Sequence, residues 1–274
     1  MIKSYKTYLV FAVLVALASV GPHFIIGSTE LVQDAIVAQI TSLAVDTEKA
    51  DPQKIENKIF GYSTKGKPIE GYVIGSGTNT VLLFGSIHGN EMGSTELLNK
   101  LIETIKADPS IISEKKKVII IPMANPDGYY DRTDKLNANR VNLNINFETA
   151  DWKKYNSEGY YAGPEPFSEV ESRVLKKVVE DYYPSAMIAF HARGAFVAPE
   201  SGQDSMALAK WYAKKTGYDY YNEWNYFGTA TRWFTDTKGH PSITVELTTY
   251  LKSDWEINKY ALLDLVSSDT LFSQ

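Results

Sequence analysis

Short apolar runs bounded by turn residues alternate along this chain with longer stretches whose apolar residues recur every three or four positions. That alternation admits few folds. Buried strands feeding amphipathic helices pack into a sheet covered on its faces by those helices. Residues 81–86 (VLLFGS) read as a strand, and 94–107 as a helix with Leu97, Leu98, Leu101 and Ile105 on one side. Strands are expected again at 117–122, 186–190 and 242–247, and helices at 169–182 and 205–216. The order predicts an α/β domain with a largely parallel central sheet and helices on both faces. In such sheets ligands bind beyond the carboxyl ends of the strands.

A chain of 274 residues suits one such domain with a short N-terminal extension. The formal charge is −5 and no block of Lys and Arg occurs, so no nucleic-acid partner is expected; such proteins need a basic face to displace counterions from phosphate. Cysteine is absent, which excludes disulfides, thiolate metal sites and a cysteine nucleophile. Tyrosines and tryptophans gather between Trp211 and Trp233, as core or as the wall of a cleft.

The N-terminus carries its own signal. Lys3 and Lys6 precede an apolar run at 8–20, with Ala16-Leu17-Ala18 spaced for a signal peptidase. Residues 1–27 are therefore expected to be a signal peptide, cut after Ala18, or an uncleaved membrane anchor. The second reading follows because 8–27 approaches the roughly 20 residues that span a bilayer, although Pro22 and His23 interrupt it. Either reading places the rest outside the cytoplasm, secreted or held on the outer face of the cytoplasmic membrane. Residues 28–56 read as a helix (30–43) and a polar linker (46–53), and the folded domain as 57–274.

Polar residues at the strand ends carry the chemistry. The strand at 81–86 runs into His88-Gly89-Asn90-Glu91, the strand at 186–190 ends in His191, and that at 242–247 carries Glu246. Two imidazoles and a carboxylate form a catalytic zinc set with the fourth position left for water. A further carboxylate beside that water serves as general base. Each residue has a plainer reading: His followed three places on by Glu is common by chance, and His191 alone could be a core histidine. Glu246 is harder to dismiss, because a carboxylate after Ile243-Thr244-Val245 is costly to bury without a partner. His23 and His240 are read as non-ligands.

The segment Gly85-Ser86-Ile87-His88-Gly89-Asn90-Glu91 resembles the first metal motif of the zinc carboxypeptidases, and within that family the chain is most like the bacterial murein peptide amidases. The likeness continues through Asn125-Pro126-Asp127-Gly128, residues 137–147 (NANRVNLNINF), 163–169 (GPEPFSE), Phe190-His191 and 244–247 (TVEL). It covers the chain from about residue 57 onward. The resemblance implies a mixed, largely parallel eight-stranded sheet and one zinc ion held by His88, Glu91 and His191. It also implies Glu246 as the base in peptide hydrolysis, and 57–274 as a zinc peptidase domain.

Two positions depart from the family pattern. Where the family has an arginine that stabilises the oxyanion, this chain has Lys135, with Arg132 as the substitute; a lysine acts there as a point charge without the planar fork. The Asn-Arg pair that grips a substrate carboxylate is here Asn144-Ile145, and isoleucine cannot make arginine's two parallel bonds. Arg193 and Arg232 are candidate replacements, and Tyr226 is the candidate proton donor. Asn142 stands where the family generally has aspartate. The resulting expectation is a hydrolase acting on peptides, cell-wall (murein) peptides above all. The alternatives are a general extracellular carboxypeptidase and a non-catalytic binding domain that kept the scaffold.

Overall fold

A computed structural model of the chain describes residues 51, 53–131, 135–154, 160–223 and 225–269. The leader at 1–27 and the helix expected at 30–43 lie outside the described residues, as does most of the linker.

Eight strands form one sheet in the order β1-β2-β4-β3-β5-β8-β6-β7. The strands are β1 (Ile55–Tyr62), β2 (Pro68–Ile74), β3 (Asn79–Gly85), β4 (Lys116–Ile121), β5 (Ala186–Ala192), β6 (Phe196–Pro199), β7 (Asp219–Tyr220) and β8 (Ser242–Leu247). Its centre, β4-β3-β5-β8, is parallel. Antiparallel pairs flank that centre, β1 with β2, β2 with β4, and β6 with β8. The sheet is thus mixed and eight-stranded, as the resemblance implies.

All seven residues of β3 and of β5 are buried, which is why these runs read as continuously apolar rather than alternating. Helices α1 (Met92–Ala107), α4 (Gln203–Thr216) and α6 (Trp255–Ser267) share one core with Val81, Leu83, Ile188 and Val245. Helices α3 (Val170–Tyr182) and α5 (Ala230–Lys238) cover the other face, over Leu82, Phe84, Met187 and Ala189. Each fully buried Leu, Ile or Phe in these layers contributes roughly 1.5–3 kcal/mol. A sixth helix, α2 (Pro126–Asp131), is short and sits after β4.

Sequence periodicity located α1, α3, α4, β3, β4, β5 and β8, each within a few residues of its ends. It did not single out β1, β2, β6, β7, α2, α5 or α6. The aromatic segment between Trp211 and Trp233 divides: Tyr212 and Trp233 are core, whereas Tyr221 and Tyr226 are exposed.

The topology decides where chemistry can occur. Strands β3, β5 and β8 are neighbours pointing the same way, so their carboxyl ends open onto one edge. In register, His191 of β5 stands opposite Glu246 of β8.

Candidate metal centre

The chain leaves β3 through Ser86, whose φ of +43° turns it sharply toward α1. A non-glycine residue holds this conformation only when its surroundings fix it. Here they do. The Ser86 N–H donates to Ser94 Oγ (2.8 Å), and its hydroxyl lies 2.7 Å from Thr95 Oγ1 and 2.9 Å from the Glu91 carbonyl oxygen. The same carbonyl accepts from Ser94 Oγ at 2.7 Å. The backbone of Glu91 is therefore pinned while its side chain turns inward from the residue that caps α1.

A second loop braces the first. Asn125 donates through Nδ2 to the carbonyls of Ile87 and Leu136, and its Oδ1 accepts from Gly128 N–H. Gly89 and Gly128 then meet backbone to backbone; a Cβ on Gly89 would lie 2.2 Å from the carbonyl carbon of Gly128. The Asn125-Pro126-Asp127-Gly128 motif is thus the seat of the loop that carries His88. Asp127 in turn accepts from Lys67 Nζ at 2.8 Å and from Lys65 N–H at 2.9 Å. Burial alone would raise its carboxyl, but these bonds outweigh it and hold it below the usual range.

His88, Glu91 and His191 converge. Nδ1 of His88 lies 2.8 Å from Glu91 Oε1, and Nδ1 of His191 lies 3.0 Å from Glu91 Oε2. The two rings stand 4.9 Å apart between centroids, at 61°. One candidate donor atom from each of the three residues lies within 4.8 Å of the others. Ligands at zinc–nitrogen and zinc–oxygen lengths near 2.0–2.2 Å sit about 3.3 Å from one another in a tetrahedron, so donor atoms already within 4.8 Å of one another need only modest side-chain adjustment to hold an ion. Burial would raise the Glu91 carboxyl, but the charges of His88 and then His191, with their hydrogen bonds, hold it down at about 2. His191 is raised: burial opposes its protonation, and the charge of Glu91 overrides burial.

The donor set fits a divalent ion by its chemistry, two imidazoles and one carboxylate, and polar atoms beside it are left unsatisfied. Among the described residues, the buried side-chain polar atoms without a hydrogen-bond partner are Asn90 Oδ1, His191 Nε2 and Glu246 Oε2. Buried polar atoms are rarely left so, and two of these three belong to the paired residues His191 and Glu246. Burial pushes Glu246 up to about 7, with the charge of His191 opposing and that of Glu91 adding.

Other residues singled out from sequence are placed less centrally. Lys135 lies with its ammonium 4.2 Å from the centroid of the Tyr160 ring, and its carbonyl accepts from Gly89 N–H at 3.3 Å. Asn144 and Ile145 form a buried 3-10 turn, Leu143–Ile145, next to Asn142. The Arg193 guanidinium stands over Tyr250 at 5.6 Å. Tyr226 is exposed, and its phenol is raised by burial first and then by the nearby Tyr160 and Glu246. Arg232 ion-pairs with Asp151 and reaches Glu200 at 3.6 Å, while its Nη2 donates to Asn225. A guanidinium already shared by two carboxylates is a poor free receptor for a third. Arg132 lies outside the described residues. His240, a predicted non-ligand, is lowered by burial and lies outside the cluster of candidate ligands.

Sequence reasoning assigned no part to Glu169, Glu171 or Glu200, three buried carboxylates near this region. Their partners are distant in sequence, such as Asn137 to Glu169 and Thr231 to Glu200, so no local spacing announces them.

A two-histidine, one-carboxylate cluster on the carboxyl edge of a mixed sheet, with another buried carboxylate alongside, defines a zinc hydrolase type of centre. Residues 40–254 match the zinc carboxypeptidase family, and the chain belongs to that family of zinc-dependent hydrolases. Murein peptide amidase A of Vibrio campbellii is 27% identical over 231 residues, covering 77% of this chain and 87% of that protein. Zinc carboxypeptidase A 1 of Anopheles gambiae is 31% identical over 168 residues, covering 52% of this chain and 38% of that protein, so the match spans well under half of the insect protein. Two solved structures share the fold. The murein-tripeptide amidase of Escherichia coli O157 superimposes with a TM-score of 0.61 at 23% identity, over 77% of this chain and 92% of its own. Bovine thrombin-activatable fibrinolysis inhibitor gives 0.68 at 17% identity, over 85% and 94%.

Proposed function

We propose that this chain is an exported peptide amidase that hydrolyses an amide bond in murein peptides, with Glu246 as general base. The observation that carries the reading is a complete hydrolytic set beside an incomplete carboxylate clamp. His88, Glu91, His191 and Glu246 are together, whereas the place of the clamp arginine is taken by Ile145, buried in its turn. A site without that fork gains little from the terminal carboxylate that defines an ordinary carboxypeptidase substrate. The similarity to murein peptide amidase A, which covers most of both chains, supports a bond within cell-wall peptides. Export rests on the basic and apolar start of the chain.

In this reading His88, Glu91 and His191 hold the ion. Bound there, zinc supplies Lewis acidity toward a carbonyl oxygen and toward water. Glu246 accepts a proton from the attacking water at its unpartnered Oε2 and returns it to the nitrogen of the departing amine. The products are a carboxylic acid and an amine, with water consumed. Lys135 is the proposed partner of the developing oxyanion, its ammonium freed from the Tyr160 ring as substrate enters. Arg193 is the proposed contact for a carboxylate elsewhere on the substrate, because it follows His191 by two residues and Arg232 is committed to Asp151 and Glu200.

The test is a comparison of two substrate sets with the zinc-loaded full chain. One is murein peptides holding a D-glutamyl bond to a diamino acid; the other is a library of unmodified peptides. Release of the diamino acid, with little loss of C-terminal residues from the library, is expected. Efficient trimming of the library with murein peptides left intact would overturn the assignment in favour of a general carboxypeptidase.

A further inference from the structure

Between residues 137 and 146 the chain places five asparagines, and four of them hold the segment together through their side chains. Asn137 Oδ1 accepts from the N–H groups of Asn139 (3.1 Å) and Val141 (2.9 Å), closing a tight loop. Asn142 Oδ1 faces two donors, Asn144 N–H at 3.1 Å and His88 Nε2 at 3.1 Å. One amide oxygen thus orients the outer nitrogen of a candidate ligand and starts the 3-10 turn that carries Asn144. A partner on the outer nitrogen fixes which ring nitrogen is left to face the ion.

The N–H of Asn142 donates to the Tyr161 carbonyl at 2.8 Å, and the segment on either side of it is fastened by a buried glutamate. Glu169 is buried at the residue that caps α3. Its Oε2 accepts from Asn137 Nδ2 at 2.7 Å and Asn139 Nδ2 at 2.8 Å, and its Oε1 accepts from Ser168 at 2.9 Å. Its backbone N–H donates to Asn146 Oδ1 at 3.2 Å. Asn146 in turn donates to the Ala162 carbonyl and to Ser168 Oγ. Glu169 therefore fastens both ends of the segment whose middle, Asn142, touches His88. One charged carboxylate oxygen accepts both amide groups at once, and its charge makes each bond stronger than a neutral acceptor would.

We infer that Glu169 is a positioning residue for the metal centre, acting through Asn137, Asn139 and Asn142 to set the orientation of His88. The inference rests on His88 being a zinc ligand, and the two can be tested separately. Glu169→Gln keeps the shape but removes the charge that strengthens both asparagine bonds and turns an NH2 donor toward Ser168 in place of the accepting Oε1, so the loop loosens without a cavity. Outer-shell partners typically change metal affinity by 10–100-fold; with the effect passed through one more link, the zinc dissociation constant is expected to rise by roughly 3–10-fold.

The experiment is chelator competition for zinc on the full chain, together with the visible spectrum of the cobalt-loaded protein and the melting temperature of the metal-free form. For Glu169→Gln the expected result is weaker zinc binding and a shifted cobalt spectrum. Glu171→Gln is the comparison, because its carboxylate chiefly ties Thr64 and meets Asn137 only at 3.3 Å. It is expected to lower the melting temperature without moving either metal readout. Asn139→Ala removes one arm of the brace from an exposed position and serves should Glu169→Gln fail to fold. Unchanged zinc affinity and cobalt spectrum in both Glu169→Gln and Asn139→Ala, with only stability reduced, would overturn the positioning role. His88→Ala binding zinc as tightly as the unaltered chain would instead remove the ligand assignment beneath it.

Discussion

Glu246 combines three properties that a surface carboxylate does not share: burial, an unpartnered oxygen and a place opposite His191 in the sheet register. Burial and the charge of Glu91 favour its neutral form and the charge of His191 favours its charged form, so the group can take up and release a proton near neutral pH. Glu246→Gln keeps the volume and removes the proton exchange. The expected result is a fall in kcat of roughly 10²–10⁴-fold, with the zinc content unchanged by metal analysis. Activity within a few-fold of the unaltered chain would remove Glu246 from the mechanism. At this scale His88, Glu91, His191 and Glu246 were legible because each ends or follows a strongly apolar run, where a polar side chain needs a reason. Arg232 was not. Its commitment to Asp151 and Glu200 joins residues 81 and 32 positions away, which spacing along the chain does not encode.

Elements matter here through what they press together. The loop after β3 and the short helix α2 meet at Gly89 and Gly128, where neither backbone has room to yield. Gly89→Ala would put a methyl group 2.2–2.6 Å from three backbone atoms of Gly128. The loops must part, loosening the Asn125 bonds to Ile87 and Leu136 that seat His88. A loss of roughly 1–3 kcal/mol in the metal-free protein is expected, the usual cost of overpacking, read from urea unfolding with a chelator present. A loss below a few tenths of a kcal/mol would show that the two loops separate freely. Legibility of the elements followed burial. Strand β8 was read to both of its ends because Ile243-Thr244-Val245 is apolar and β-branched. By contrast β7 is two residues long and half exposed, and α5 begins with Thr229 capping the Arg232 N–H in a segment rich in aromatic residues. Short or mixed patterns of that sort carry no period to detect.

For the whole molecule, the centre acts as a cross-link. It joins the loop after β3 to β5, uniting residues 100 positions apart in sequence. Without an ion, Glu91 already bridges the two imidazoles, so the buried carboxylate keeps partners and the fold does not depend on metal for charge balance. The metal-free chain is therefore expected to fold, with the circular dichroism of an α/β protein, and to melt at a lower temperature than the zinc-loaded one. An ion that binds only the folded state stabilises it by RT ln(1 + [Zn]/Kd), about 4 kcal/mol when zinc stands a thousandfold above Kd. In a domain of this size, each kcal/mol moves the midpoint by about 2–4 °C, so a rise of roughly 8–16 °C is expected. The rise should grow with the logarithm of free zinc and vanish in a His88→Ala, His191→Ala double variant. An equal rise in that variant would place the stabilising ion elsewhere. A fully occupied centre giving no rise would mean that zinc binds the unfolded chain as well as the folded one, so that the geometry of the cluster adds nothing to its affinity. The preformed convergence of both Nδ1 atoms on one carboxylate argues for the large shift, since an unfolded chain must first close a hundred-residue loop to offer the same three ligands.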